Sequence, residues 1–281
     1  MSPILSDNII PSATAADNTL TDCITHATRM AGKGADPEKK ALFASVTNEE
    51  LAAFIAKRGV VLFRDQDDLD TKEHVKLGAR WGPLHIHPLA PHGQEHPEVI
   101  VLDSRLSPPD RYNTNNSWHS DISCKPTPAS LSSILTRFQR LVANTGRKTF
   151  GKLNDSEHPV IRTNPVTGWK SVFTDSVFTG EINGVSPTES KWILEHLNNL
   201  ISKRLDYQVR FRWEKHSVAT WDNRSTFHTG VPDFKPYFRR GLRVTVSGEK
   251  PYYDPNSGTQ TKAWEATAKA ITAKQEAAGS V

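Results

Sequence analysis

Ser117-Trp118-His119-Ser120-Asp121, SWHSD in one-letter code, follows the polar loop RYNTNN (111–116) and sets a histidine and an aspartate two apart beside an aromatic residue. In extended backbone, residues two apart project from the same face, so His119 and Asp121 reach one point in space while Ser120 turns away. An imidazole and a carboxylate presented together suit a divalent first-row metal. A second histidine from elsewhere would complete a two-histidine, one-carboxylate face of the kind that holds iron(II) with positions left open for co-substrate and oxygen. His228, in WDNRSTFHTG, is the leading partner, because it too ends a strand-like run and lies far off in sequence. A His-x-Asp pair alone is weakly specific, and is more often a surface or hydrogen-bonded pair than a ligand set. Its surroundings have to decide.

Outward from this stretch, the chain reads as short strands with helices at the flanks. TNEELAAFIAKRG (47–59) offers a capping box, Thr47 with Glu50, then an apolar stripe at Leu51, Phe54 and Ile55 and a stop at Gly59. VVLFRD follows as a buried strand, DTKEHVKLGARWG (70–82) as a second helix, and EVIVLDS as another strand. Beyond SWHSD, PASLSSIL alternates like a strand, and HPVIRTNPVTGWKSVF is a hairpin turned at Asn164 to Gly168. SPTESKWILEHLNNLI has Ser186 at the cap, Pro187 at the first position and Glu189 closing the box. Ile193, Leu194, Leu197, Leu200 and Ile201 share one of its faces. YQVRFRWEKHSVATWDNRSTFHTG and GLRVTVSGEKPYY predict strand after strand. The expected fold is therefore mainly β with flanking helices, a sandwich or barrel core rather than a parallel α/β sheet. Neither an internal repeat nor a glycine-rich phosphate loop is visible.

Composition bounds the function. The chain has 281 residues, 36% hydrophobic and 23% charged, an ordinary globular balance. Its apolar runs are strand-sized, far short of the roughly 18 residues that span a bilayer, so no membrane segment is expected. The N-terminus lacks a basic start followed by an apolar stretch, and the two cysteines, Cys23 and Cys124, stand far apart outside any CxxC pair; a reducing, cytoplasmic setting is the expectation. The net charge of +4 comes from scattered basic residues and forces no nucleic-acid footprint. The densest basic run, KPYFRRGLR (235–243), reads by itself as either a solvated loop or a binding element. Residues 1–45 predict a flexible arm, 46–256 the folded domain and 257–281 a C-terminal tail.

In combination, GPLHIHPLAPHG (82–93), EVIVLD, the loop containing PPD (108–110), and WHSD followed by TPAS resemble the taurine and alkylsulfonate dioxygenases, which depend on iron(II) and 2-oxoglutarate. EHPVIRTNPVTGWKSVF, INGVSPTES, QVRFRWEKHSVATWDNRSTFH and RRGLRVTVSGEKPYYDP look like the fungal members of that family, and the likeness runs from about Leu51 to Pro255. It implies a double-stranded β-helix, or jelly roll, with the metal at one mouth. His119, Asp121 and His228 match the iron ligands. Arg239, eleven positions after His228, matches the basic residue that holds the far carboxylate of 2-oxoglutarate; Arg243, fifteen after it, matches the arginine that binds the substrate anion. The planar guanidinium fork suits carboxylate and sulfonate oxygens at both places. His87 and Asn115 match polar substrate contacts. His85, His92 and His96 read as surface or structural histidines, Trp118 and Cys124 as packing residues, and Trp221, Asp222 and Asn223 as shaping the strand before His228.

The activity so implied is hydroxylation of a small anionic substrate, a sulfonate as first guess, with O2 and 2-oxoglutarate consumed and succinate, CO2 and sulfite released. The resemblance also allows a homo-oligomer. Two departures stand against it. Between SLSSIL and EHPV the family carries a long covering segment with a GGDT-like turn whose threonine also binds 2-oxoglutarate. Here only TRFQRLVANTGRKTFGKLNDS (136–156) intervenes, leaving Thr149 of TGRKT as the candidate. Near Thr47 a family strand region is missing as well. These losses keep open an impaired relative that binds without turnover; a dioxygenase of a carboxylate or secondary-metabolite substrate and a zinc hydrolase with the same ligands are the other rivals.

Overall fold

The computed structural model describes residues 47–88, 90–105, 117–136, 156–231, 234 and 237–278. The 1–45 arm, Asn115 and Thr149 lie outside these described residues. Five strands form one antiparallel sheet: β1 (Val60–Phe63), β2 (Val99–Asp103), β3 (Ala129–Leu135), β6 (Val218–Asp222) and β7 (Arg240–Ser247), in the spatial order β1-β6-β3-β7-β2. A separate hairpin pairs β4 (Ile161–Thr163) with β5 (Lys170–Val172) around the expected turn, where the Gly168 amide donates to the Asn164 carbonyl at 2.8 Å. Gly168 has φ +68°, the left-handed region that glycine enters without a Cβ penalty.

Strand parity divides the large sheet into two chemically different faces. On one, Val61, Phe63, Leu131, Leu135, Val218 and Val246 pack with Leu51 and Ile55 of α1 (Asn48–Arg58), and Val99, Val101, Leu242 and Val244 form a neighbouring apolar cluster. Each such fully buried aliphatic side chain contributes about 1.5–3 kcal/mol. The opposite face carries Ser132, Trp221, Arg243 and Thr245, residues two apart or directly paired across β3, β6 and β7. β3 sits third of five and is buried at every position, so its polar residues must find partners inside the protein.

Both early helices cap as expected. Thr47 and Glu50 form the reciprocal capping box of α1, and the Asp70 carboxylate accepts from the Glu73 amide at the start of α2 (Thr71–Trp81). α2 buries Thr71, His74, Leu77 and Gly78 against the sheet. A Cβ on Gly78 would stand 2.5 Å from Val244 Cγ1, so the bare residue is what lets α2 approach β7 this closely.

Three expectations change. Residues 208–215, read as strand, are not in a strand; sheet pairing starts at Val218. The segment read as a tail contains a helix, α4 (Gln260–Ala278), rich in Ala and Lys, both good helix formers. α3 (Pro187–Lys203) has the expected capping box at Ser186 and Glu189. Its apolar face is only partly covered among the described residues: Ile193 is 39% exposed, Leu194, Leu197, Leu200 and Ile201 are half-buried, and Ser190 is the buried residue of the helix. Among the described residues no helix is long and apolar enough to cross a membrane.

Candidate metal centre

His119 and His228 lie directly opposite each other on an isolated antiparallel bridge. The His119 amide donates to the His228 carbonyl at 3.0 Å, and the His228 amide to the His119 carbonyl at 2.9 Å. Residues opposed in this way project to the same side, and the two rings lie with centroids 4.3 Å apart, tilted by 49°. Asp121 joins them from two residues on. Its Oδ1 stands 3.6 Å from His228 Nε2 and 4.0 Å from His119 Nε2. One donor atom from each of the three residues falls within 4.8 Å of the others.

The donor chemistry suits a divalent cation. His119 Nδ1 lies 2.7 Å from the Ser117 carbonyl. A carbonyl only accepts, so Nδ1 carries the proton and the Nε2 lone pair faces Asp121. Burial, opposed by the Asp121 charge, pushes His228 down to about 3, which keeps the ring neutral, the form that ligates metal. Asp121 is 2% exposed. Burial would raise its carboxyl, but Arg243, then His228 and His119, and the Ser132 hydroxyl outweigh it and hold the group well below the usual carboxylate range. Two imidazoles and an ionised carboxylate are thus presented together, and the set fits a first-row divalent ion.

Asp121 is gripped on every side. Ser132 Oγ donates to Oδ2 at 2.7 Å, Arg243 Nη1 donates to Oδ1 at 2.6 Å, and the Asp121 amide donates to Asn223 Oδ1 at 3.1 Å. Arg243 arrives from β7, and Arg239 stands just before that strand. The Arg243 Nε is buried without a hydrogen-bond partner among the described residues. Arg239 is half-buried. Its backbone is clamped to Ser104 by two hydrogen bonds, and its charge reaches His228, lowering that ring's proton affinity.

His87 is half-buried at the same place and pushed down to about 4 by burial and by Arg243. His85, read from the sequence as structural or superficial, stands beside it with ring centroids 6.1 Å apart and is held near 3 by burial, Lys125 and His87. His85 belongs to the site wall, as does Lys125, whose charge acts on both rings. His92 does serve structure, its Nε2 bonding the His87 carbonyl at 2.6 Å, and His96 pairs with Glu98 near the surface.

Phe178 had not been singled out, and Trp221 was read only as shaping the strand before His228. Phe178 meets the His119 ring edge-on at 6.0 Å. It is delivered by a turn in which Asp175 Oδ1 accepts from the Val177 and Phe178 amides, with Ser123 Oγ donating to Asp175 Oδ2 at 2.6 Å. The Asp175-x-x-Phe178 spacing is an Asx-turn signal that could have been read from the sequence. Trp221 lies 4.8 Å from the His228 ring. Asn223, read only as shaping its strand, touches the backbone of Asp121 itself.

Compared with known proteins, residues 20–139 and 136–245 match the family described as taurine catabolism dioxygenase TauD, TfdA. The alpha-ketoglutarate-dependent dioxygenase btcD of Neocamarosporium betae is 33% identical, over 74% of this chain and 84% of that protein. The alpha-ketoglutarate-dependent sulfonate dioxygenase of Saccharomyces cerevisiae is 28% identical over 73% of this chain and 62% of its own length. Among solved structures, a taurine dioxygenase from Burkholderia xenovorans superposes with a TM-score of 0.58 at 25% identity, covering 81% of this chain and 86% of its own. Its relatives share the jelly roll, to which the five-stranded sheet corresponds.

Proposed function

We propose, from the premise that this chain belongs to the TauD, TfdA family of 2-oxoglutarate (alpha-ketoglutarate) dependent dioxygenases, that it hydroxylates a small anionic substrate, a sulfonate first. The carrying observation is the convergence of His119, Asp121 and His228 within 4.8 Å. These three would hold iron(II), which with 2-oxoglutarate and O2 supplies the oxidising power the protein's own side chains lack. A name supports the sulfonate: the yeast relative is called a sulfonate dioxygenase, whereas the Neocamarosporium relative's name specifies no substrate.

The chain's own work is binding, orientation and exclusion of water. Arg239 would pair with the far carboxylate of 2-oxoglutarate. Arg243, already anchored to Asp121 through Nη1, has its buried Nε to offer the substrate anion. An unpartnered donor of this kind is costly to keep buried, and an anionic oxygen would satisfy it. His87, neutral at physiological pH, would add a hydrogen bond to the same group. Phe178 and Trp221 shield the two imidazoles from bulk water.

Anaerobic addition of iron(II) and 2-oxoglutarate should produce the visible charge-transfer colour of the chelate, and oxygen uptake across a panel of sulfonates and carboxylates should be largest for a sulfonate, with sulfite released. Absence of the colour would overturn the iron and 2-oxoglutarate assignment. Colour with uptake on carboxylates alone would overturn the sulfonate.

A further inference from the structure

Asp121 has two carboxylate oxygens, and a metal held by one of them leaves a coordination position that a metal held by both would occupy. The hydrogen bonds around this side chain have a direction that can be worked out. Asn223 is 1% exposed, and its Oδ1 lies 3.1 Å from the Asp121 amide and 3.0 Å from Trp221 Nε1. Both are donors only, so the oxygen must face them and Nδ2 must face Ser132, whose Oγ is 2.9 Å away. A flipped amide would set N–H against N–H twice. Ser132 Oγ therefore accepts from Asn223. Its remaining neighbours are Asp121 Oδ2 at 2.7 Å and Thr245 Oγ1 at 3.1 Å. An ionised carboxylate only accepts, so the shorter contact takes the Ser132 proton and Thr245 is left to donate to Ser132's second lone pair.

The result is a closed ring: Asp121 N–H to Asn223 Oδ1, Asn223 Nδ2–H to Ser132 Oγ, Ser132 Oγ–H to Asp121 Oδ2. Ser120 Oγ locks it further by donating to the Asn223 carbonyl at 2.6 Å, and the Asn223 amide donates to the Ser130 carbonyl at 2.8 Å. Every member is buried and every polar atom in the ring is satisfied, a condition under which such bonds reinforce one another. Oδ2 is thereby turned to Ser132, while Oδ1, which accepts from Arg243 Nη1 at 2.6 Å, is the oxygen that faces the two Nε2 atoms.

We propose that Ser132, oriented by Asn223, is a positioning residue that commits Asp121 to binding the metal through Oδ1 alone and so keeps a coordination position open for 2-oxoglutarate and O2. The inference rests on the metal assignment made under Proposed function. Ser132 reaches the site because it pairs with Trp221 on β6 and Thr245 on β7, at the centre of the sheet's polar face.

Cobalt(II), which reports ligation by its visible absorption without turnover, tests this. The parent should bind one equivalent. Ser132→Ala should lose about tenfold in cobalt affinity, as removal of a bond to a ligating side chain typically does, and its cobalt spectrum should change in intensity as Oδ2 becomes free to ligate. Ser132→Thr, which keeps the hydroxyl, should restore parent affinity and spectrum. Thr245→Val should match the parent, because the Thr245 hydroxyl only donates into the ring. Parent affinity and spectrum in Ser132→Ala at an unchanged Tm would overturn the role, as would the same loss in Thr245→Val, which would mark a packing effect. Failure of the parent itself to bind cobalt would sink the metal assignment and this inference with it, so the two failures are told apart by the parent alone.

Discussion

Arg243 and Asp121 hold opposite charges in a space that water barely reaches, their side chains 10% and 3% exposed. Neither can be altered without stranding the other. Asp121→Asn preserves shape but removes the counter-charge, so it is expected to abolish 2-oxoglutarate turnover and to lower stability by about 3 kcal/mol, the typical result of breaking a buried pair. Loss of turnover at an unchanged denaturation midpoint would show that the guanidinium finds another partner. Arg239 should behave differently, because the task proposed for it is the co-substrate. Arg239→Leu should weaken 2-oxoglutarate by roughly 2–5 kcal/mol, at least about thirtyfold, while iron(II) affinity barely moves; equal 2-oxoglutarate affinity in parent and variant would remove it from the site. The ligand pair His119 and Asp121 could be seen in the sequence because strand parity is local. The place of His85 against the sheet could not, since it depends on the backbone bond from its amide to the Thr245 carbonyl, 160 positions along the chain.

Among the elements, α2 makes the tightest demand. Gly78 to Ala would ordinarily strengthen a helix by about 1 kcal/mol. Here the new methyl would meet Val244 Cγ1 at 2.5 Å and Leu84 Cδ2 at 3.0 Å, and Val244 is 1% exposed with nowhere to retreat. Overpacking therefore wins, with a net loss of about 1–2 kcal/mol in urea unfolding at unchanged m-value. Val244→Ala in the same chain should recover part of it, and a Gly78→Ala variant as stable as the parent would show that α2 can shift outward. Capping boxes at Thr47 and Ser186 were legible because they involve residues three apart. The apolar row on α3 was equally legible as a pattern, yet burial of that row depends on what lies against it, which no helical period encodes.

For the molecule as a whole, acid should be the weak side. His74 is fully buried between α2 and the sheet, and burial lowers it from 6.5 to about 4. Below pH 6.5 the unfolded chain takes up a proton that the folded chain refuses until about pH 4, so stability falls as pH drops through that window. By pH 5 the loss from this residue is about 2 kcal/mol. His85 and His87 act in the same direction. Unfolding free energies measured at pH 7 and pH 5 should differ by less in His74→Leu than in the parent; identical differences would show that His74 does not carry the effect. By itself the sequence determined most of the elements, their caps, the two-residue spacing that aims His119 and Asp121 together, His228 as their leading partner, and the resemblance that singled out Arg239 and Arg243. These rest on interactions within a few residues or on local patterning. Tertiary structure decided which face of β3 meets Asp121, that Ser132 and Asn223 close a ring on it, that Arg243 pairs with it, and that β6 begins only at Val218. Those outcomes depend on the register of β3 against β6 and β7, strands that lie roughly a hundred residues further along the chain, and register is set by the whole sheet pairing at once.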